Sequence, residues 1–337
     1  MASINDVAKL AGVSKSTVSK VLNNYELVSE ETRLKVEKAV QALDYIPNSM
    51  AISLSKKDFN RVGLIVDIQH NSQFIDEIGM KYLKGAFDKS KEYGLDVVTF
   101  FSSQFEKMTA EQMKSYFRSQ SINSLIIYNL AASDVNLQQL IEGQDFHCVL
   151  VDSPIVNEKT SSINIDHFQA QYEVAKKTIS DNDFQDVVLY IAGEKNSYVG
   201  IERLEAMKKL QEEMGFKMIV EYGDFKEHRA REITFEWAEK DIEVIVCASD
   251  MMAIGAIFAL IELDIFKTVC GFDGITLMGY ASIEMNTVIQ KFYKKSQRAF
   301  DELKRLLDGG SGQRIEMPYE VSFIKYTDVI HQGDYVE

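Results

Sequence analysis

Beyond residue 60 the chain repeats one pattern: a short apolar run, a helical stretch, then another apolar run. Val62–Val66, Val97–Phe101, Leu125–Tyr128 and Cys148–Val151 are nearly unbroken apolar runs, the composition of strands buried on both faces of a parallel sheet. Ile78–Tyr93, Ala110–Ser119 and Val135–Ile141 carry the helical spacing between them. A second series begins near Ser162, with strands predicted at Val187–Ile191, Met218–Val220, Val244–Cys247 and Thr268–Phe272. Its helices are predicted at Gln169–Ser180, Ile201–Met214, Arg229–Lys240 and Met252–Leu263. Two such series predict two doubly wound parallel sheets, that is, two α/β lobes with a cleft between them. Ligands of such sheets sit beyond the carboxyl ends of the strands, so the loops there are the candidate site.

The first 57 residues follow another rule. Val7, Ala8, Leu10 and Ala11 give a first helix an apolar side, with Asn5 or Asp6 as its N-cap. Gly12 is placed to end it with positive φ, and Ser14 to cap the next helix. In that second helix Val18, Val21 and Leu22 share one face, while Lys15, Ser16, Ser19, Lys20 and Asn23 share the other. Every member of the outer face donates hydrogen bonds. Helix, glycine turn and donor-rich helix form the helix-turn-helix pattern, whose second helix enters the DNA major groove. A plain amphipathic hairpin would show the same two faces. A third helix from about Ser29 to Leu43 closes the small core with Val36, Ala39, Val40 and Leu43.

The segments Asp6-Val7-Ala8-Lys9-Leu10-Ala11-Gly12-Val13-Ser14, Thr17-Val18-Ser19-Lys20-Val21-Leu22-Asn23 and Tyr45-Ile46-Pro47-Asn48 resemble the headpiece of the LacI/GalR repressor family. The resemblance implies DNA contacts from Lys15, Ser16, Thr17, Ser19, Lys20, Asn23 and Asn48. It also implies a hinge helix over 47–60 that wedges Leu54 into the minor groove, with Lys57 on a phosphate. Lys20 and Ile52 stand where many relatives carry arginine. The first weakens fork-like reading of guanine, and the second removes a hinge cation.

The body resembles the same family more loosely, through Ala248-Ser249-Asp250-Met251-Met252-Ala253-Ile254-Gly255-Ala256, Gly271-Phe272-Asp273, the stretch around Arg203, and Thr287-Val288-Ile289-Gln290. That likeness implies a periplasmic-binding-protein-like domain with three crossovers between lobes. It places Asp152, Arg203, Ser249, Asp273 and Gln290 around the ligand, with Phe74 on the first lobe's side and Asp250 as a helix N-cap. Carboxylates, an arginine and an aromatic ring suit a sugar, sugar acid or sugar phosphate. Ser249 replaces the family's usual asparagine and Gly274 its second aspartate, so ligand identity does not transfer from any one relative. The expected organisation is a headpiece at 1–46, the hinge at 47–60, and a body at 61–337. Within the body, the first lobe is expected at about 61–161 with 291–322, and the second at about 162–288 with 324–337.

Charge and composition narrow the function classes. The formal net charge is −14, yet the first 57 residues hold eight basic against six acidic side chains, net +2, which leaves −16 on the remainder. An acidic body repels phosphate, whereas a basic end docks on it. Cys148, Cys247 and Cys270 lie far apart in apolar runs and read as buried thiols. No membrane span, secretion signal, nucleotide loop or hydrolase motif is legible, and His70, His147, His167, His228 and His331 lack ligand spacing. The expectation is a cytoplasmic homodimeric regulator on a pseudo-palindromic operator, without cofactor, metal or catalysis. About ten residues follow the last predicted strand, near Tyr319–Tyr326, too few for a heptad tail. Control by a protein partner is the alternative to control by a sugar, and a headpiece fused to an enzyme is the remote third.

Overall fold

A computed structural model describes residues 2–22, 28–45, 61–67, 77–181, 186–280 and 284–325 of the 337. They fall into two units, residues 1–61 with 119–122, and residues 62–118 with 123–337.

In the first unit, α1 (Ile4–Ala11), α2 (Lys15–Leu22) and α3 (Glu30–Ala42) pack Val7, Ala8, Val18, Val21, Val36 and Ala39 into one core, with Val40 and Leu43 against it. The N-cap of α1 is Ser3, not Asn5 or Asp6. Ser3 Oγ accepts from the Asp6 amide, and the Asp6 carboxylate accepts from the Ser3 amide at 2.8 Å. This capping box runs over four residues, Ser3 to Asp6, and Asp6 closes it from inside the helix. Gly12 ends α1 at φ 66°, a left-handed conformation that a side chain would strain. Ser14 Oγ accepts from the Thr17 amide at 3.1 Å, and Ser29 caps α3. Leu10, expected on the apolar side, stands exposed.

The second unit holds two six-stranded sheets. One has the order β11-β5-β4-β3-β1-β2, the other β12-β10-β9-β8-β6-β7. In the first sheet β1 (Arg61–Val66), β2 (Asp96–Phe101), β3 (Ser124–Tyr128) and β4 (His147–Val151) are joined by α4 (Glu77–Tyr93), α5 (Ala110–Ser119) and α6 (Val135–Glu142). β5 (Thr160–Asn164) and β11 (Arg314–Glu316) complete it. The second sheet takes β6 (Val187–Ala192), β7 (Lys217–Tyr222), β8 (Val244–Cys247), β9 (Thr268–Cys270), β10 (Met285–Ile289) and β12 (Glu320–Ile324). Its helices are α7 (His167–Ser180), α8 (Tyr198–Met214), α9 (Glu227–Trp237) and α10 (Asp250–Glu262), with the short α11 (Leu277–Tyr280) beyond β9. Central strands β3 and β6 are buried along their whole length, which is why they read as unbroken apolar runs.

The chain passes between the sheets three times, after β5, after β10 through Gln290, and between β11 and β12. Two passages lie off their expected places. β5 pairs in parallel with β4, so the first lobe runs to 164, and β12 pairs antiparallel with β10, so the second lobe resumes by 320. Thr160-Ser161-Ser162-Ile163-Asn164 is a polar strand and carries no apolar signal. Helix α12 (Phe292–Leu307) returns the chain to the first lobe and packs on α4, β4 and β5. Among the described residues, two contacts at the rim of the cleft bridge the lobes. The Glu77 carboxylate, at the start of α4, accepts from the amides of Thr276 (2.8 Å) and Leu277 (3.1 Å). The Ala132 amide donates to the Asn196 carbonyl at 2.8 Å.

Candidate functional site

A cavity of about 700 Å³ opens at the carboxyl ends of both sheets. Asp152, Arg203, Ser249, Asp273 and Gln290 all line it, each at most 6% exposed. These five, spread over 139 positions, are brought together by the ends of β4, β8, β9 and β10 and by helix α8.

Asp152 follows β4 with φ at 62°, an unusual backbone for aspartate and a form of strain that collects at functional sites. Lys295 Nζ, on α12, donates to its Oδ1 at 2.9 Å and Oδ2 at 3.1 Å. Tyr82 Oη donates to Oδ2 at 2.9 Å, and His167 Nε2 stands 3.0 Å from Oδ1. Burial works to raise the carboxyl, but Lys295 and His167 override it and hold Asp152 far below the usual range. Lys295 also donates to Gln290 Oε1 at 2.8 Å, and Gln290 Nε2 donates to Asp273 Oδ1 at 3.0 Å.

Arg203 lies over the Phe272 ring at 3.6 Å and donates to the Ala248 carbonyl. Its Nη2 donates to His167 Nδ1 at 3.2 Å and stands 3.8 Å from Asp273 Oδ1. Glu205, two residues further along the helix, pairs with Lys208 and not with Arg203. With an arginine donating to Nδ1, the His167 proton lies on Nε2 and faces Asp152. Burial first, then the Arg203 and Lys295 charges, depress its pKa to about 4 against the pull of Asp152. Burial, helped by Asp250 and opposed by Arg203, raises Asp273.

Ser249, not Asp250, is the N-cap of α10, with its Oγ accepting from the Met252 amide at 3.3 Å. Asp250 lies one residue further in and is fully buried. It accepts from the amides of Gly274 (2.7 Å) and Ile275 (2.9 Å) and from Thr287 Oγ1 (2.6 Å), fixing the loop that carries Asp273.

Four contributors were not legible as site residues: Lys295, His167, Tyr82 and Phe225. Phe225, at φ 57° directly after Asp224 at 53°, forms an aromatic wall. Its ring lies on Gly193, where any Cβ would stand 2.0 Å from the ring. Nothing in the sequence marks Phe225 as facing the cavity. Lys295 gave no signal, because a lysine on an amphipathic helix reads as solvated.

On the headpiece, Lys15, Ser16 and Lys20 are exposed and Thr17 and Ser19 half-buried, opposite the buried Val18 and Val21. The Ser14 hydroxyl meets those of Ser16 (2.7 Å) and Thr17 (2.8 Å). Asn23, Asn48, Leu54, Lys57 and Phe74 lie outside the described residues. Cys148, Cys247 and Cys270 are free and buried. Among the described residues no group of acidic, histidine or cysteine side chains is placed to hold a metal ion, and no helix is long and apolar enough to cross a membrane.

His167 carries a pH prediction. Its pKa is lowered in the fold, so below about 6.5 the unfolded chain takes up a proton that the folded chain refuses. Stability attributable to His167 is therefore intact above 6.5 and falls as pH drops towards 4, by about 3 kcal/mol in all. Urea unfolding at pH 7, 5.5 and 4.5 is expected to show that loss in the parent and a smaller one in His167→Gln. Parallel profiles would mean that His167 titrates in the fold as it does in the unfolded chain.

The family model of bacterial regulatory proteins of the lacI family matches residues 3–48. That of periplasmic binding proteins and the sugar binding domain of the LacI family matches residues 60–300. The HTH-type transcriptional regulator RegA of Clostridium saccharobutylicum is 29% identical over 91% of this chain and 92% of its own. A Lac repressor solved with ONPG in the repressed state is 25% identical, with a TM-score of 0.79, over 97% of this chain and 99% of that one. A complex of the transcriptional regulator CelR with cellobiose shares the fold at 22% identity and a TM-score of 0.70, over 97% and 99%.

Proposed function

This chain belongs to the lacI family of bacterial regulatory proteins, so it is a DNA-binding transcription regulator and not an enzyme, and on that premise we propose that it represses genes of carbohydrate metabolism under the control of a small sugar-like effector. The observation that carries the reading is the convergence of Arg203, Ser249, Asp273 and Gln290 on one cavity with an aromatic wall at Phe225. Arginine donates to a hydroxyl oxygen, aspartate accepts the hydroxyl proton, and the ring stacks on a sugar face. CelR bound to cellobiose and the Lac repressor bound to ONPG add support from the same fold.

The headpiece reads a half-site with Lys15, Ser16, Thr17, Ser19, Lys20 and Asn23, and the hinge adds Asn48, Leu54 and Lys57. One such helix reads a few base pairs, so the operator is a pseudo-palindrome and the regulator a homodimer. Apolar side chains exposed on the body, Met80 and Phe87 on α4 and Phe258 and Ile261 on α10, favour a partner copy. The effector changes operator affinity by its differential affinity for the two states of the body, a coupling of about 1–3 kcal/mol.

Thermal unfolding of the full chain against a panel of sugars, uronic acids and sugar phosphates tests the reading. A ligand at about 100 times its Kd stabilises the body by about 2.7 kcal/mol. A shift with one sugar, and a change in operator affinity on adding it, is the expected result. A flat panel would remove the sugar and leave the DNA-binding role standing.

A further inference from the structure

Asp152 has no acceptor site left for a ligand. An ionised carboxylate offers about four lone-pair positions. Here Lys295 donates to both oxygens, Tyr82 to Oδ2 and His167 to Oδ1, so the fold itself takes all four. Lys295 is 1% exposed and gives a further bond to Gln290. Burying an ammonium is costly unless it is fully paired. An aliphatic side chain would fill the place beside Phe292 at no such cost, so the cation has to be explained.

Its consequence is the charge of the cleft floor. Lys295 cancels Asp152 at 2.9 Å, Arg203 faces Asp273 at 3.8 Å, and His167 is neutral. Among these floor groups a donor and an acceptor are left over, both from the second lobe, while Asp67, Glu77, Glu194, Lys226 and Glu227 line the cavity around them. Arg203 Nε is buried without a partner, and Asp273 has a second oxygen beyond the one held by Gln290. A hydroxyl serves both at once, accepting from the arginine and donating to the aspartate. An ammonium repels the arginine, and a carboxylate or phosphate repels the aspartate.

Resting on the sugar-effector reading, we propose that Lys295 is a specificity-determining residue: it occupies Asp152 and cancels its charge, so that the effector is an uncharged polyol rather than an amino sugar, a sugar acid or a sugar phosphate. Lys295 does this from behind Asp152 and positions it; the ligand meets Arg203 and Asp273.

The test uses the full chain, with glucose, galactose and mannose, their 2-amino-2-deoxy and uronic acid counterparts, their 6-phosphates, and cellobiose as probes. Melting shifts are recorded for the parent, Lys295→Met, and Lys295→Met combined with Asp152→Asn. The parent is expected to respond to a neutral sugar and at least tenfold more weakly to its charged counterparts. Lys295→Met exposes an unmatched carboxylate and is expected to gain the amino sugar, while the double variant, with both charges gone, returns to the neutral one. The double variant keeps the question answerable if the single variant does not fold. A parent that ranks an acid, phosphate or amine first, or variants that keep the parent's ranking, would overturn the proposal. Silence of the parent across all probes would instead overturn the sugar reading, and this inference with it.

Discussion

Lys295→Met is expected to destabilise the second unit by about 3–5 kcal/mol, the range found when one partner of a buried ion pair is removed. The loss comes less from the missing attraction than from what stays behind. Asp152 keeps Tyr82 and His167, but its charge is then uncompensated in a site where it is 5% exposed. Adding Asp152→Asn is expected to restore most of the loss, because an apolar and a neutral polar residue of similar volume replace the pair without stranding a charge. Urea unfolding of parent, single and double variants gives the comparison. Equal stability of single and double variants would mean that the two side chains do not act as a pair.

The second large effect falls on binding. Arg203→Met is expected to weaken the stabilising sugar about 100-fold, since a hydrogen bond from a charged donor contributes roughly 1.5–3 kcal/mol and Arg203 stands beside Asp273 at 3.8 Å. Methionine keeps the contact with Phe272 and Phe225, so the walls of the cavity persist. Calorimetric titration of the sugar into both proteins measures the difference. An unchanged Kd would take Arg203 out of recognition and leave it a bracket between Ala248 and His167.

Legibility in the sequence followed distance along the chain. The headpiece core and the central strands were legible because they obey local periods, 3.6 residues in one and unbroken apolar runs in the other. Caps were legible only as a choice among neighbours. Ser3 and Asp6, or Ser249 and Asp250, satisfy the same rule; Asp6 closes the capping box on Ser3, and Asp250 is taken by the Gly274 and Ile275 amides, so the serine is the cap in both. The polar strand Thr160–Asn164, paired on both sides, had no apolar signature, so the lobe boundaries shifted by a few residues. The floor of the cleft was half legible. Asp152, Arg203, Ser249, Asp273 and Gln290, named through the family resemblance, line one cavity. Lys295 and His167 escaped notice because their meaning depends on Asp152, which lies 143 and 15 positions away.

The two contacts across the rim differ in kind, and that makes the cleft mechanically lopsided. Ala132 to Asn196 joins backbone to backbone, so no substitution deletes it short of proline. On the other flank a single carboxylate, Glu77, holds two amides of the opposite lobe. The first flank is thus indifferent to most substitutions, whereas the second hangs on one side chain. A lineage of such regulators can retune how readily the body opens, and with it the threshold of its response, without touching the effector pocket or the DNA-reading helix.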